Sequence, residues 1–196
     1  MRMPKTIIIA TRNAHKTAEI RQMLGEEWQV KDANDFTDWP IVEETGETFL
    51  ANATLKAVAI SLVHEGIVLA DDSGLCVDFL DGAPGVWSSS YGGEEGNHAK
   101  NNARLLAEMQ GVAQRGGYFS CTMVLAQQGE VLAHFEGRCT GRILTTASGG
   151  HGFGYDPLFA PHGYDQSFAD LGSEVKNTLS HRGAALKKVM AWLSNK

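Results

Sequence analysis

Cysteine is scarce: Cys76, Cys121 and Cys139 are the only three in 196 residues, and no two stand in a CxxC pair. An odd number without paired spacing excludes a disulfide framework and a thiol zinc cluster, and it fits free thiols in a reducing compartment. Cys76 and Cys121 lie in apolar stretches, where a buried small side chain is expected. Long apolar runs are missing too. Ile7–Ala10 is far too short for a membrane span, or for a signal-peptide core behind the basic residues of Met1–Lys5, so a cytoplasmic chain with no membrane contact is expected. Lys and Arg number 17 against 23 Asp and Glu, and the net charge of -6 excludes broad nucleic-acid binding, which needs many cations on phosphates. A polyanionic ligand therefore requires cations gathered in one place or supplied by a metal. The sequence also lacks a Walker A loop, a GxSxG elbow, HExxH, paired Cys and His at zinc spacing, and a basic amphipathic helix.

What is present is a chain with 43% hydrophobic and 20% charged residues, enough to bury a real core. One ordered domain over residues 1–196 is expected, in two lobes. Thr6–Ala10 is β-branched and apolar, a buried strand, and Ala14–Leu24 follows with helical spacing. A second helix is predicted over Glu47–His64, leading through Gly66 into the strand Ile67–Ala70. Ala99–Met109 reads as helix, Tyr118–Leu125 and Glu130–Phe135 as a hairpin turning at Gln128 and Gly129, and His181–Leu193 as the last helix. Helices alternating with strands, with a hairpin in the middle, predict an α/β fold with a mixed sheet.

Five segments carry candidate chemistry. Thr11, Arg12, Asn13, Ala14, His15 and Lys16 join the first strand to the first helix, where unpaired N–H groups, the helix dipole and basic side chains suit a phosphate. Ordinary capping by Asn13 explains the same residues equally well. Asp71, Asp72 and Ser73 end an apolar strand with hard oxygen donors that suit Mg²⁺, although Asp, Ser and Gly also make turns. Two successive acids after a buried strand repel each other and gain from a cation. Glu43 and Glu44 precede the second helix, where acids often serve only the dipole. Asn52 and Lys56, four apart on that helix, share one side that can face the same cleft, although a solvated polar face explains them as well. In the Gly-rich segment 148–157, Phe153 or Tyr155 offers a ring for a base, next to Gly154 and Asp156. It is not GxGxxG, because Pro157 stands in the last glycine's place. Lys176, His181 and Arg182 supply donors near the last helix, behind a Ser180 cap.

The segments TRNAHK, EETGETFLANATLKA, LADDSGLCVD, GAPGVWSSSYGGE, GGHGFGYDPLF and SHRGAALKK, in this order over nearly the whole chain, closely resemble the inosine triphosphate pyrophosphatase family, the XTP/dITP diphosphatases. The resemblance implies a two-lobed α/β structure, with a long twisted mixed sheet flanked by helices and a central cleft. It also implies a homodimer, Mg²⁺, and hydrolysis of the non-standard purine nucleotides ITP, dITP and XTP to monophosphate and pyrophosphate. Carried over by position, Thr11–Lys16 meet the triphosphate, Asp72 is the catalytic acid-base residue and a metal ligand, and Glu43 is its partner at the metal. Glu44, Lys56 and Asp71 stand next in line. Ser73, Phe153, Gly154, Tyr155, Asp156, Lys176, His181 and Arg182 bind the rest of the nucleotide. Arg12 stands where many relatives have Gly, and Ser90 where they commonly carry Arg. A Maf-type pyrophosphatase of modified pyrimidine nucleotides is the enzymatic alternative, and a nucleotide-binding module without turnover the other. FGYDPLF and SHR favour the purine reading.

Overall fold

The computed structural model describes residues 5–195; the basic N-terminal residues 1–4 lie outside the described range. Six strands run in the order β2-β1-β3-β4-β5-β6. They are β1 (Lys5–Ile9), β2 (Trp28–Lys31), β3 (Ile67–Val77), β4 (Gly116–Gln127), β5 (Glu130–Ile143) and β6 (Phe159–Pro161). β1 pairs in parallel with β2 and β3, whereas β5 and β6 are antiparallel, so the sheet is mixed as predicted. Five helices accompany it: α1 (Ala14–Leu24), α2 (Phe49–Val63), α3 (His98–Glu108), α4 (Phe168–Leu179) and α5 (His181–Ser194). No helix among the described residues is long and apolar enough to cross a membrane.

The residues fall into two compact units. The first takes the described chain up to Asp72, Cys121–Glu136 and the C-terminal stretch from Ala185. Its sheet is buried on both faces, which is why β1 and the start of β3 are continuous apolar runs. Ile7, Ile9 and Leu69 pack with Ile20 of α1 and with Leu186 and Val189 of α5. On the opposite face Ile8, Val68 and Ala70 pack with Ala53, Ala57 and Ile60 of α2. The second unit, Ser73–Ser120 with Gly137–Ala184, has its own core, in which Leu75, Val77 and Phe119 meet Leu105 of α3, Phe159 and Phe168.

α1, α2, α3 and α5 lie where the apolar spacing puts them. β2, α4 and β6 were not predicted: β2 and β6 are too short for a period to show, and α4 is broken at Gly172, whose φ is 78°. β5 runs on past the predicted Phe135 to Ile143, and the difference that bears on the site is in β3. It does not end at Asp71 but runs on to Val77, so the two acids and Ser73 sit inside a strand and not at its carboxyl end or in a turn.

Candidate active site

The pleat of β3 decides what its two acids do. Successive strand side chains point to opposite faces. Asp71 therefore joins the Leu69 face under α1, and Asp72 the Ala70 face under α2. Asp71 is 1% exposed, with its Oδ1 2.6 Å from Lys16 Nζ and its Oδ2 accepting from Cys121 Sγ at 3.1 Å. Asp72 is 7% exposed, and its Oδ1 accepts from Lys56 Nζ at 2.9 Å. Two successive acids were expected to gain from a cation; in the structure each is paired with a lysine of its own, Asp71 with Lys16 and Asp72 with Lys56.

Lys56 also donates to Glu44 Oε2 at 2.7 Å, so one ammonium holds two carboxylates. Burial opposes its charge, but Asp72 and Glu44 outweigh that and raise its pKa. Burial pushes Asp72 up to about 6; the Lys56 and Lys16 charges pull it back, and the Glu44 charge adds to the rise. Burial raises Glu44 as well, but Lys56 wins there and leaves it below the usual range. The acid brought to Asp72 through Lys56 is thus Glu44; both loop glutamates are exposed, and it is the bond to Lys56 that marks Glu44.

Asp72 Oδ2 is buried without a hydrogen-bond partner among the described residues. An acceptor left in this state is costly unless something comes to it. The donors fit Mg²⁺, which takes one or two carboxylates and completes its shell with water and phosphate oxygens. Among the described residues no three His, Cys, Asp or Glu side chains form a cage that would hold an ion by themselves, and that mode of binding needs none.

The loop before α1 is capped. Asn13 Oδ1 accepts from the N–H groups of His15 and Lys16, at 3.0 and 3.3 Å, and Thr11 Oγ1 accepts from Asn13 N at 3.0 Å. Two of the N–H groups expected to be open to a phosphate are therefore taken by Asn13. Arg12, Ala14 and His15 are exposed, whereas Lys16 is turned to Asp71.

In the second unit, Lys176 and Asp156 form an ion pair of 2.6 Å with side chains 5% and 3% exposed. Asp156 Oδ2 also accepts from Phe153 N at 2.8 Å. A Cβ on Gly152 would lie 2.1 Å from that oxygen, and its φ of +77° suits only glycine, so the loop closes on the carboxylate for want of a side chain. Lys176 Nζ lies 4.6 Å and Arg182 Cζ 5.8 Å from the Phe153 ring centroid, both at cation–π range. Arg182 donates to Ser73 Oγ at 2.9 Å, and His181 stacks on Phe119 with centroids 4.8 Å apart. Tyr155 does not offer its ring: it is 4% exposed in the core, and its hydroxyl donates to Ser88 O. Phe153, half-buried, is the ring that remains.

Sequence reasoning passed over Asn102 and His98 of α3. Asn102 Nδ2 donates to Gly154 O at 3.0 Å, and the His98 ring lies 6.1 Å from that of Phe153. Their spacing of four on one helix was the available signal. It also passed over Cys121, whose link to Asp71 spans 50 positions and leaves no local trace.

The profile of the Ham1 family matches residues 7–192. A protein of Halalkalibacterium halodurans named dITP/XTP pyrophosphatase is 44% identical over 192 residues, 96% of this chain and 99% of its own. The structure of the Staphylococcus aureus Ham1 protein is similar with a TM-score of 0.86 at 34% identity, covering 97% of this chain and 99% of that one. A HAM1 protein from Coxiella burnetii gives a TM-score of 0.86 at 32% identity, over 98% and 100%. The chain belongs to the Ham1 family.

Proposed function

We propose that the chain is a nucleoside triphosphate pyrophosphatase that converts non-standard purine nucleotides, ITP, dITP and XTP, to the monophosphate and pyrophosphate. The observation that carries this is the Asp72–Lys56–Glu44 group, in which buried Asp72 keeps a spare carboxylate oxygen and Glu44 stands at the exposed side of the same lysine, a pairing that suits a cation and a polyphosphate. The activity in the name of the Halalkalibacterium relative supports the same reading. Asp72 and Glu44 would hold Mg²⁺, which would neutralise phosphate charge when bound.

Ionised Asp72 orients a water toward the α-phosphorus and takes its proton. Lys16 and Arg12, with Lys56, offset the charge of the departing pyrophosphate. Phe153 stacks on the base. His181 and Arg182 donate to the 6-oxygen of hypoxanthine or xanthine and are left unpaired by adenine's amino group, a discrimination worth up to about 10⁴ to 10⁵. Clearing such nucleotides from the pool is cytoplasmic work, and the buried thiols of Cys76, Cys121 and Cys139, none in a disulfide, fit a reducing compartment. A homodimer belongs to the same reading.

A panel of ITP, dITP, XTP, ATP and GTP with and without Mg²⁺, read by pyrophosphate and orthophosphate release, tests it. The expected result is pyrophosphate from ITP, dITP and XTP and not from ATP, and only with metal. Orthophosphate release, or ATP turned over as fast as ITP, would overturn it. Arg182→Ala should bring the ITP and ATP rates closer together; an unchanged ratio would remove Arg182 from base selection.

A further inference from the structure

The chain from Trp39 to Gly46 has no helix or strand, yet it delivers Glu44 to Lys56. Two anchors outside the acids hold its ends. At one end, Phe36 and Trp39 close around His64 at the end of α2. Their ring centroids lie 4.1 and 5.4 Å from the imidazole, and 5.7 Å from each other. His64 is 7% exposed, and its Nε2 is buried with no hydrogen-bond partner among the described residues. A polar atom kept there at a desolvation cost leaves ring packing as what the side chain contributes. Arg12 Nη2 reaches the Trp39 carbonyl at 3.5 Å, so the loop before α1 touches the same clasp.

At the other end, Gly46 N donates to Asn52 Oδ1 at 2.7 Å, and Asn52 is 3% exposed on α2. A Cβ on Gly46 would stand 2.6 Å from Ala51 Cβ, so the chain can pass this close to the helix only as glycine. Asn52 and Lys56 belong to α2, and His64 is its C-cap, with its N–H bonded to Ile60 O. One helix and its C-cap residue thus carry both anchors and the lysine that meets Glu44.

We propose that His64 and Asn52 are positioning residues for the divalent cation, fixing the acidic loop at both ends so that Glu44 stands with Asp72 before the ion arrives. This rests on the metal-dependent reading above. Neither residue touches substrate; each acts through the loop. A site organised in advance binds its ion without first ordering six residues of chain, and loosening either anchor returns that cost to the binding step.

The test uses the nucleotide-free full chain and Mn²⁺ as the probe, with free Mn²⁺ read by electron paramagnetic resonance. His64→Ala is expected to weaken Mn²⁺ binding by about tenfold, and Asn52→Ala to act in the same direction. His64→Phe keeps a ring between Phe36 and Trp39 and should bind Mn²⁺ within about twofold of the parent. In dITP hydrolysis, His64→Ala should raise the half-saturating Mg²⁺ concentration far more than it lowers kcat at saturating Mg²⁺. Should His64→Ala fail to fold by circular dichroism, Trp39→Ala, at a half-buried ring, carries the same expectation. A parent chain that needs metal while His64→Ala binds Mn²⁺ unchanged, or His64→Phe as weak as His64→Ala, overturns the proposal alone. A parent chain equally active in EDTA overturns the metal reading and this proposal with it.

Discussion

Asp72 is buried enough to keep its proton to about pH 6, and a general base works only without one. At low Mg²⁺ the kcat/KM for dITP should therefore rise with pH through a limb near that value. More Mg²⁺ should move the limb to lower pH, because a cation competes with the proton for the carboxylate. Asp72→Asn should abolish the limb and lower kcat by about 10²-fold or more, with KM changed far less; near-normal turnover would discard the assignment. The choice between the loop acids can be decided in the same way. Glu44 shares Lys56 with Asp72, so Glu44→Gln should raise the Mg²⁺ requirement by more than Glu43→Gln does. The reverse order would restore the pairing of Glu43 with Asp72 that the resemblance implied. Individual residue types were legible in the sequence here, and the partner of each was not, because Lys56 selects between two adjacent glutamates by reach.

Among the elements, α1 begins where its cap says. Asn13→Ala removes the acceptor for two N–H groups and should cost about 1 kcal/mol, lowering Tm by about 2–4 °C. If the loop also holds phosphate, KM for dITP should rise in parallel; a stability loss without a KM change would leave Asn13 as a cap alone. The loop at 149–156 behaves differently, because its shape depends on a missing side chain. Gly152→Ala would drive a Cβ into Asp156 and displace the carboxylate from Lys176 and Phe153 N, so KM for dITP should rise by about tenfold or more. Normal nucleotide binding in that variant would separate the Asp156–Lys176 pair from base recognition. The start and end of α1 were readable to the residue from its periodicity and cap, whereas β3 was cut short at Asp71, since acids and serine are turn formers by composition and strand members only by pairing.

For the whole molecule, the unusual state of Asp72 becomes a dependence of stability on pH. Its folded pKa of about 6 lies above the ordinary 3.8, so the folded chain holds this proton more tightly than the unfolded chain does. Its contribution to stability is thus complete below about 3.8 and is lost as pH rises through about 6. Metal-free protein should lose stability over that window, and Asp72→Asn should flatten the slope; equal slopes in chemical denaturation would place the raised pKa elsewhere. Mg²⁺ should restore stability at neutral pH in proportion to its binding, by mass action. The sequence by itself determined the α/β class, the buried strands, most of the helices and the family resemblance, because periodicity, caps and ordered motifs are written locally. Only the tertiary structure decided that Asp71 and Asp72 serve opposite faces, that Glu44 is the acid held beside Asp72, and that Tyr155 belongs to the core. These outcomes depend on pleat direction and on contacts between residues far apart in the chain, which no local pattern encodes.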